Sequence, residues 1–334
     1  MLIFLLACQT GSVKLADTGV GPGDSAADTD TDTDTDADTD TDADTDTDAD
    51  TDTDTDTDTD TDTAPRPDRE DCQDWGLFAA SALVLETSSS VDGWDSRDGR
   101  YGAGAGEHRN AAKDTRIATN SAEECAIRVD GGTVRGDVWV GPGGYPDLVV
   151  CDARRGVLGA VRELGAAVDV TWPSAPSGMP ESTGTTEIEW GDEVVLSEDR
   201  HLDALSVRTS STLHVDRSMT LWVAGDAVFN NGSLTLDPGV ELDLYVGGTL
   251  TVEWSSRLNP DGDPGALRVY ALGGLSASTA AQIDGRVWVD GDARFDSAYL
   301  SGTLVARTVS ASWTSGLRVD AGMVCAAEGS ETTR

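Results

Sequence analysis

Leu221-Trp-Val223, Leu244-Tyr-Val246, Leu267-Arg-Val269, Val287-Trp-Val289 and Leu304-Val-Ala306 repeat one pattern, two aliphatic residues around a middle one, at steps of 23, 23, 20 and 17 residues. Most are followed within a few residues by a glycine turn: Gly225-Asp226, Gly247-Gly248, Gly273-Gly274 and Gly291-Asp292. A β-sandwich also shows short strands and turns, but it does not need one triplet at a near-constant step. A β-solenoid does, because each coil hides its apolar side only by stacking on the next. Side chains alternate across a strand, so the outer two residues of each triplet face one way and the middle one the other. With the aliphatics filling the coil, Trp222, Tyr245, Arg268 and Trp288 point outward in one line. A slip of one residue would put Trp and Arg inside a narrow coil, where an unpaired guanidinium costs on the order of several kcal/mol. The expected fold is all-β, a single-stranded β-helix.

Upstream, from Leu83 onward, short runs of Val, Leu, Ile and Thr are broken by Gly, Asp, Asn and Pro, which extends the all-β reading towards the N-terminus. One helix is expected over Val157 to Leu164, where Val157, Leu158, Val161 and Leu164 share a face. Pro173, Pro176 and Pro180 then mark a loop before the second half.

The chain has 334 residues, 61 acidic against 23 basic, and a net charge of -38. Nucleic acid and anionic lipid surfaces are poor partners for such a chain. Asp occupies every even position from Asp28 to Asp62, and removing this tract and its short flanks leaves -18 for residues 72–334. Residues 9–71 alternate polar and charged groups with nothing to bury, so they are expected to form a disordered, extended acidic linker. About 60 residues at ~3.5 Å each span at most about 200 Å. The Asp-x-Asp alternation lacks the Gly and the distal Glu that shape a calcium loop, so loose counterion binding is expected rather than specific metal sites.

Met1-Leu-Ile-Phe-Leu-Leu-Ala-Cys8 places an apolar run directly before a cysteine and resembles a bacterial lipobox. That resemblance implies cleavage before Cys8 and acylation of its thiol, so that membrane lipid is a partner. The run is short and has no Lys or Arg in front of it, a departure from the usual pattern. With its Asp-Thr stalk, and with Lys14 and Lys113 as the only lysines, the chain is similar to surface lipoproteins of myxobacteria and related bacteria. The organisation expected is a lipoprotein segment at 1–8, the linker at 9–71 and a β-helix domain at 72–334, on the outer membrane and exposed at the cell surface.

If Cys8 is acylated, Cys72, Cys125, Cys151 and Cys325 remain, an even set in an exported protein. Three pairings are open to them. Cys125 and Cys151 lie 26 residues apart, close to one coil, and coils ~4.8 Å apart fall within the reach of a disulfide. The pairing expected is therefore Cys125 with Cys151, leaving Cys72 for Cys325.

The phrases Val91-Asp-Gly-Trp-Asp-Ser-Arg-Asp-Gly-Arg-Tyr101, Thr115-Arg-Ile-Ala-Thr-Asn-Ser121, Val134-Arg-Gly-Asp-Val-Trp-Val-Gly-Pro-Gly-Gly144, Asp261-Gly-Asp-Pro264 and Leu317-Arg-Val-Asp320 give a second resemblance. As an ordered series they look like the β-helical domain of unknown function in PilX-type pilus-assembly and related bacterial surface proteins. The resemblance spans roughly residues 76–320 and implies a right-handed β-helix at the cell envelope, with no catalytic residues to carry over.

Residues that carry chemistry are sparse. His108, His201 and His214 have no nucleophile or second histidine at working spacing. Gly102 to Gly106 alternates with alanine but no phosphate-binding helix follows. Arg135-Gly-Asp137 reads as a turn into the strand bearing Trp139. Acidic pairs such as Asp192-Glu193 and Glu198-Asp199 are common in a chain this acidic and single out no glycosidase pair. No cofactor, metal or catalytic residue is expected. The function expected is non-enzymatic: a lipid-anchored envelope protein presenting a β-helix for adhesion, surface-matrix or pilus-linked assembly. A neutral polysaccharide or an envelope protein is the expected partner, met by Trp222, Tyr245, Arg268 and Trp288. The alternatives are a carbohydrate-active β-helix enzyme (a polysaccharide lyase or hydrolase) and a self-polymerising, bactofilin-like scaffold.

Overall fold

The computed structural model describes residues 75–102, 110–111, 113–152 and 156–324. The chain divides into two units, 1–60 and 61–334, and every described residue belongs to the second. The expectations for Cys8, for the linker at 9–71, and for Cys72 and Cys325 fall outside the described residues.

The fold is a right-handed β-helix with almost no helical structure. Its ladders are parallel, and a strand pairs with the one three positions on: Met219–Val223 with Leu242–Val246, Ala227–Asn230 with Thr249–Glu253, and Ser233–Leu236 with Arg257–Leu258. Each coil therefore passes through three strands before it meets itself, and the stacked coils build three faces. The first face includes Met219–Val223 and Leu242–Val246, the second Ala227–Asn230 and Thr249–Glu253, and the third Thr212–Val215 and Ser233–Leu236.

Alternation fixes which side chains go inside. In Met219–Val223, Met219, Leu221 and Val223 are buried while Thr220 and Trp222 stay partly exposed. Leu221, Val223, Leu244, Val246, Leu267, Val269, Val287 and Val289 are all fully buried in one continuous core. Each such residue gains about 1.5–3 kcal/mol over its exposed state, which sets the register.

The coils are not stacked in chain order. Tyr299–Ser312 and Gly316–Asp320 pair with Leu77–Glu86 and Ser90–Trp94. Leu77–Glu86 then pairs on its other side with Thr115–Thr119 and Ile127–Asp130. The described chain thus begins in the middle of the stack and climbs to Val161–Glu163. Residues 164–184 return along the outside, and the stack restarts from its other end at Thr185–Ile188. The prolines expected to mark a loop lie in this return strap.

Two expectations need correction. Val157 to Leu164 is not a helix: Val157 bridges Val134, Val161 pairs with Val138, and Leu158 faces solvent. A Cβ on Gly159 would sit 2.1 Å from the Gly136 carbonyl oxygen, so this segment lies flat on the coil beneath. Its four-residue apolar spacing spans a corner between two faces and imitates a helical turn. The second correction is that Arg268 is not in line with Trp222, Tyr245 and Trp288. Tyr245 pairs with Tyr270, and Tyr270 with Trp288, while Arg268 pairs with Asp243 one column away. The coil before it carries a longer corner with the short 3-10 helix Pro264–Ala266, which shifts the register by two residues.

Two corners explain the glycines and serines. Between the first and second faces the coils approach closely, and a Cβ on Gly247 would lie 2.2 Å from the Ala224 carbonyl oxygen. Between the second and third faces the backbone is left-handed coil after coil: Ser210, Asn231, Trp254 and Ser255, Thr279 and Ala280, Ser297, Trp313 and Thr314, and Thr87 and Ser88 all have positive φ. The residue that closes this corner is small and buried, as at Ser211, Ser256, Ala281, Ala298, Ser315 and Ser89. The Ser256 hydroxyl donates to the Glu253 carbonyl at 2.6 Å and accepts the Gly232 N–H of the coil below at 3.1 Å.

Candidate ligand surfaces

The middle positions of the first face form a column of outward side chains, one per coil: His201, Trp222, Tyr245, Tyr270, Trp288, Val305, Phe78, Ala118, Trp139 and Arg162. Tyr245, Tyr270 and Trp288 stack face to face, with centroid separations of 4.4 and 5.0 Å and planes 22° and 20° from parallel. Parallel in-register strands place like residues over one another, and aromatic rings there lie flat on their neighbours. The faces of these rings are spent on each other, and their edges meet the surroundings. Sequence reasoning missed Tyr270; the alternation Val269-Tyr-Ala271 was the signal, hidden by the equally good alternation one step earlier.

The upper part of the column is covered. Phe78, Ala118, Val305 and Leu164 form a second apolar cluster with Trp75, Trp139, Val168, Val170, Trp172 and Trp288 packed against it. The strap is pinned there by the Asn120 side chain, which bonds both the N–H and the carbonyl of Val168 at 2.8 Å. The Arg307 guanidinium sits over the Trp172 ring at 4.6 Å. At the far end the strap bonds His201, whose carbonyl accepts the Thr183 N–H at 2.9 Å.

Beside the column, Arg268 pairs with Asp243 and with Glu241, the latter at 2.9 Å. These carboxylates hold the guanidinium charge above its ordinary affinity for a proton. Burial first, then the Asp243 charge, pushes the Tyr270 hydroxyl up to about 12.

On the third face, Asp92, Asp284 and Asp320 are all raised above the usual carboxylate range, in each case chiefly by burial. Their oxygens hold neighbours in place. Asp92 accepts the Tyr101 hydroxyl at 2.8 Å, and Asp284 accepts the Gln282 amide at 2.7 Å. Asp320 accepts the N–H groups of Ser96 and Gly322, both at 2.9 Å. Arg318 lies between the rings of Tyr101 and Tyr299, 4.3 and 4.7 Å from their centroids. This network fastens the segment after Trp94 onto the third face.

No protein-family model matches this chain, and neither does any curated protein. Among solved structures it is similar to an ice-binding protein from an Antarctic biological consortium, at 13% identity over 73% of this chain and 87% of that one, with a TM-score of 0.38. It is also similar to the DUF3494 domain of Shewanella frigidimarina ice-binding protein 1, at 13% identity over 74% and 94%, TM-score 0.36. A third is an ice-binding protein from the Antarctic ascomycete Antarctomyces psychrotrophicus, at 11% identity over 74% and 95%, TM-score 0.31.

The remaining sequence candidates resolve simply. Cys125 and Cys151 are bonded, with Cα atoms 5.0 Å apart, and join adjacent coils. Gly136 of the Arg135-Gly-Asp137 triplet has φ of 126° and opens the strand Gly136–Val140, while Asp137 accepts the Ala160 N–H at 2.8 Å. His214 bonds the Thr235 hydroxyl and faces Asp237 at 3.3 Å. His108 lies outside the described residues. Among the described residues no three His, Cys, Asp or Glu side chains gather at metal-binding distance, and no helix is long and apolar enough to cross a membrane.

Proposed function

We propose that the chain is a non-enzymatic, lipid-anchored protein of the outer membrane that holds a rigid β-helix at the cell surface for adhesion or matrix assembly. The observation that carries the non-enzymatic reading is the fate of its perturbed carboxylates: Asp92, Asp284 and Asp320 each bind a neighbouring side chain or backbone N–H. A general acid or base must present an oxygen to substrate, whereas the oxygens left without a partner here, Asp284 Oδ1 and Asp320 Oδ2, are buried out of a substrate's reach. Support for the anchor is the Leu5-Leu-Ala-Cys8 run and the Asp-Thr tract behind it. Growth with a radioactive fatty acid tests it. The protein should carry label, and equal labelling of Cys8→Ala would sink the anchor.

A second reading, contact with ice, has one observation in its favour. On the second face Ser206, Val228, Thr251 and Ser276 pair coil to coil as one column of small, partly exposed side chains. Hydroxyl and methyl groups repeating at the coil spacing of ~4.8 Å are a surface on which water could order. Thermal hysteresis and ice-recrystallisation measurements on the full chain test this; ordinary crystal growth in its presence would rule it out.

A further inference from the structure

Among the large hydrophobic side chains of the described residues, three of the most exposed are indoles: Trp190 at 80%, Trp254 at 58% and Trp313 at 62%. The pairings put all three at the same position, the first residue of the left-handed corner between the second and third faces. Going up the stack, the pairings carry this position through Trp190, Thr209, Asn231, Trp254, Thr279, Ser297 and Trp313, all left-handed except Thr209, where the turn falls on Ser210 instead. An indole thus returns every third coil, and at ~4.8 Å per coil neighbouring indoles lie roughly 14 Å apart along one edge.

The first-face rings cover one another, but these do not. Among the described residues no ring or cation contact involves Trp190, Trp254 or Trp313, and each indole is more than half exposed. Positive φ is unusual for a bulky side chain and strains the backbone, and neighbouring coils manage with Thr, Ser or Asn at this corner. Beside Trp313 the surface dips into a shallow, open depression lined by Thr279, Asp296, Ser297 and Tyr299. Beside Trp190 lies another, lined by Glu187, Ser206, Arg208 and Asn230.

We propose that this edge binds a neutral, extended polysaccharide, with the three indoles as stacking platforms. The proposal rests on the surface-contact role above and names its ligand class. Ring faces beside carboxylates and hydroxyls match the two sides of a sugar, an apolar C–H face and a rim of hydroxyls. A protein partner fits less well, because a protein interface needs a contiguous apolar centre, and Thr, Asn and Ser separate these rings. Lipid fits less well because Glu187, Glu253 and Asp296 flank the edge and repel anionic headgroups. The same charge turns away anionic glycans.

The test is affinity electrophoresis and isothermal titration of the full chain with a linear neutral β-glucan, a linear neutral α-glucan and alginate. Retention by at least one neutral polymer and none by alginate is expected. Each single Trp→Ala change at 190, 254 or 313 should weaken binding several-fold, and the triple change at least 100-fold, with melting temperature within a few degrees of the parent. Loss of binding to zwitterionic vesicles instead of glycan would give the edge to lipid and overturn the proposal. Binding that survives the triple change, or no binding to either neutral polymer, would overturn it too. Fatty-acid labelling of the triple variant stays at the parental level whatever the glycan result, so failure of the anchor is read separately.

Discussion

Tyr270 lies flat on Tyr245, with ring centroids 4.4 Å apart and planes 22° from parallel, because their backbones are paired in the parallel ladder. Trp288 continues the stack at 5.0 Å. Tyr270→Ala removes the middle ring of three, and stability measured by denaturant should fall by about 1–3 kcal/mol. Tyr270→Phe keeps the stack and should stay within ~0.5 kcal/mol. Arg268→Ala, beside the stack and paired to Asp243 and Glu241, should lower stability less than Tyr270→Ala does.

The Tyr270 hydroxyl also gives an alkaline signature. Its folded value is pushed to about 12 from the ordinary 10.0, mainly by burial. The unfolded chain ionises first as pH rises, so the stability this hydroxyl contributes is intact below pH 10 and lost as pH climbs towards 12. Denaturant melts across that window should fall less steeply for Tyr270→Phe than for the parent.

Asp320 acts in the same sense in acid. It is fully buried, its value is raised by burial, and a nearby Asp95 adds to the rise. A carboxyl raised in the folded state favours the fold below its unfolded value near 3.9, and that favour is lost as pH rises through the folded value. Asp320→Asn keeps an acceptor for Ser96 and Gly322 but carries no charge. The variant should melt at or above the parent temperature at pH 7 and should lose part of the parent's gain on acidification.

The left-handed corner leaves little room at Ser256, which is fully buried with its hydroxyl between two coils. Ser256→Ala loses those hydrogen bonds and should cost about 1 kcal/mol. Ser256→Val overfills the corner and should cost about 2 kcal/mol or more. The two are compared by thermal melts, and a Val variant as stable as the Ala variant would show that the corner yields.

Reduction of Cys125–Cys151 should act locally. The bond joins two coils near one end of the stack, and a disulfide of this loop length stabilises by roughly 2–4 kcal/mol. Amide exchange in residues 126–163 should speed up on reduction, while residues 219–320 keep their protection.

The aliphatic triplets made the β-helix legible because burial of two residues out of three in a fixed phase admits only one inner face. The register at Leu267-Arg-Val269 was not legible. Leu267, Val269 and Ala271 are all buried, so two triplets alternate equally well, and only the longer corner before them decides which one joins the row. The corner sequences Trp254-Ser-Ser256, Thr279-Ala-Ala281 and Trp313-Thr-Ser315 carried a repeat as regular as the triplets. Its small polar residues read as ordinary loop until the backbone shows that each closes a left-handed corner, and the indoles set among them read as loop too. The pairing of Leu77 with Leu304 had no signal at all, since nothing in either strand names its neighbour.

That pairing decides what truncation does. Leu77–Glu86 sits between Tyr299–Ser312 on one side and Thr115–Thr119 with Ile127–Asp130 on the other. Among the described coils, the one made last is the keystone of the stack. Until it emerges from the ribosome, the first-made coils and the later ones are two separate half-rods, each with a raw edge of unpaired strand where the other belongs. A stop codon at Tyr299 therefore does not yield a shorter rod. It yields a rod broken in the middle, its halves joined only by the strap.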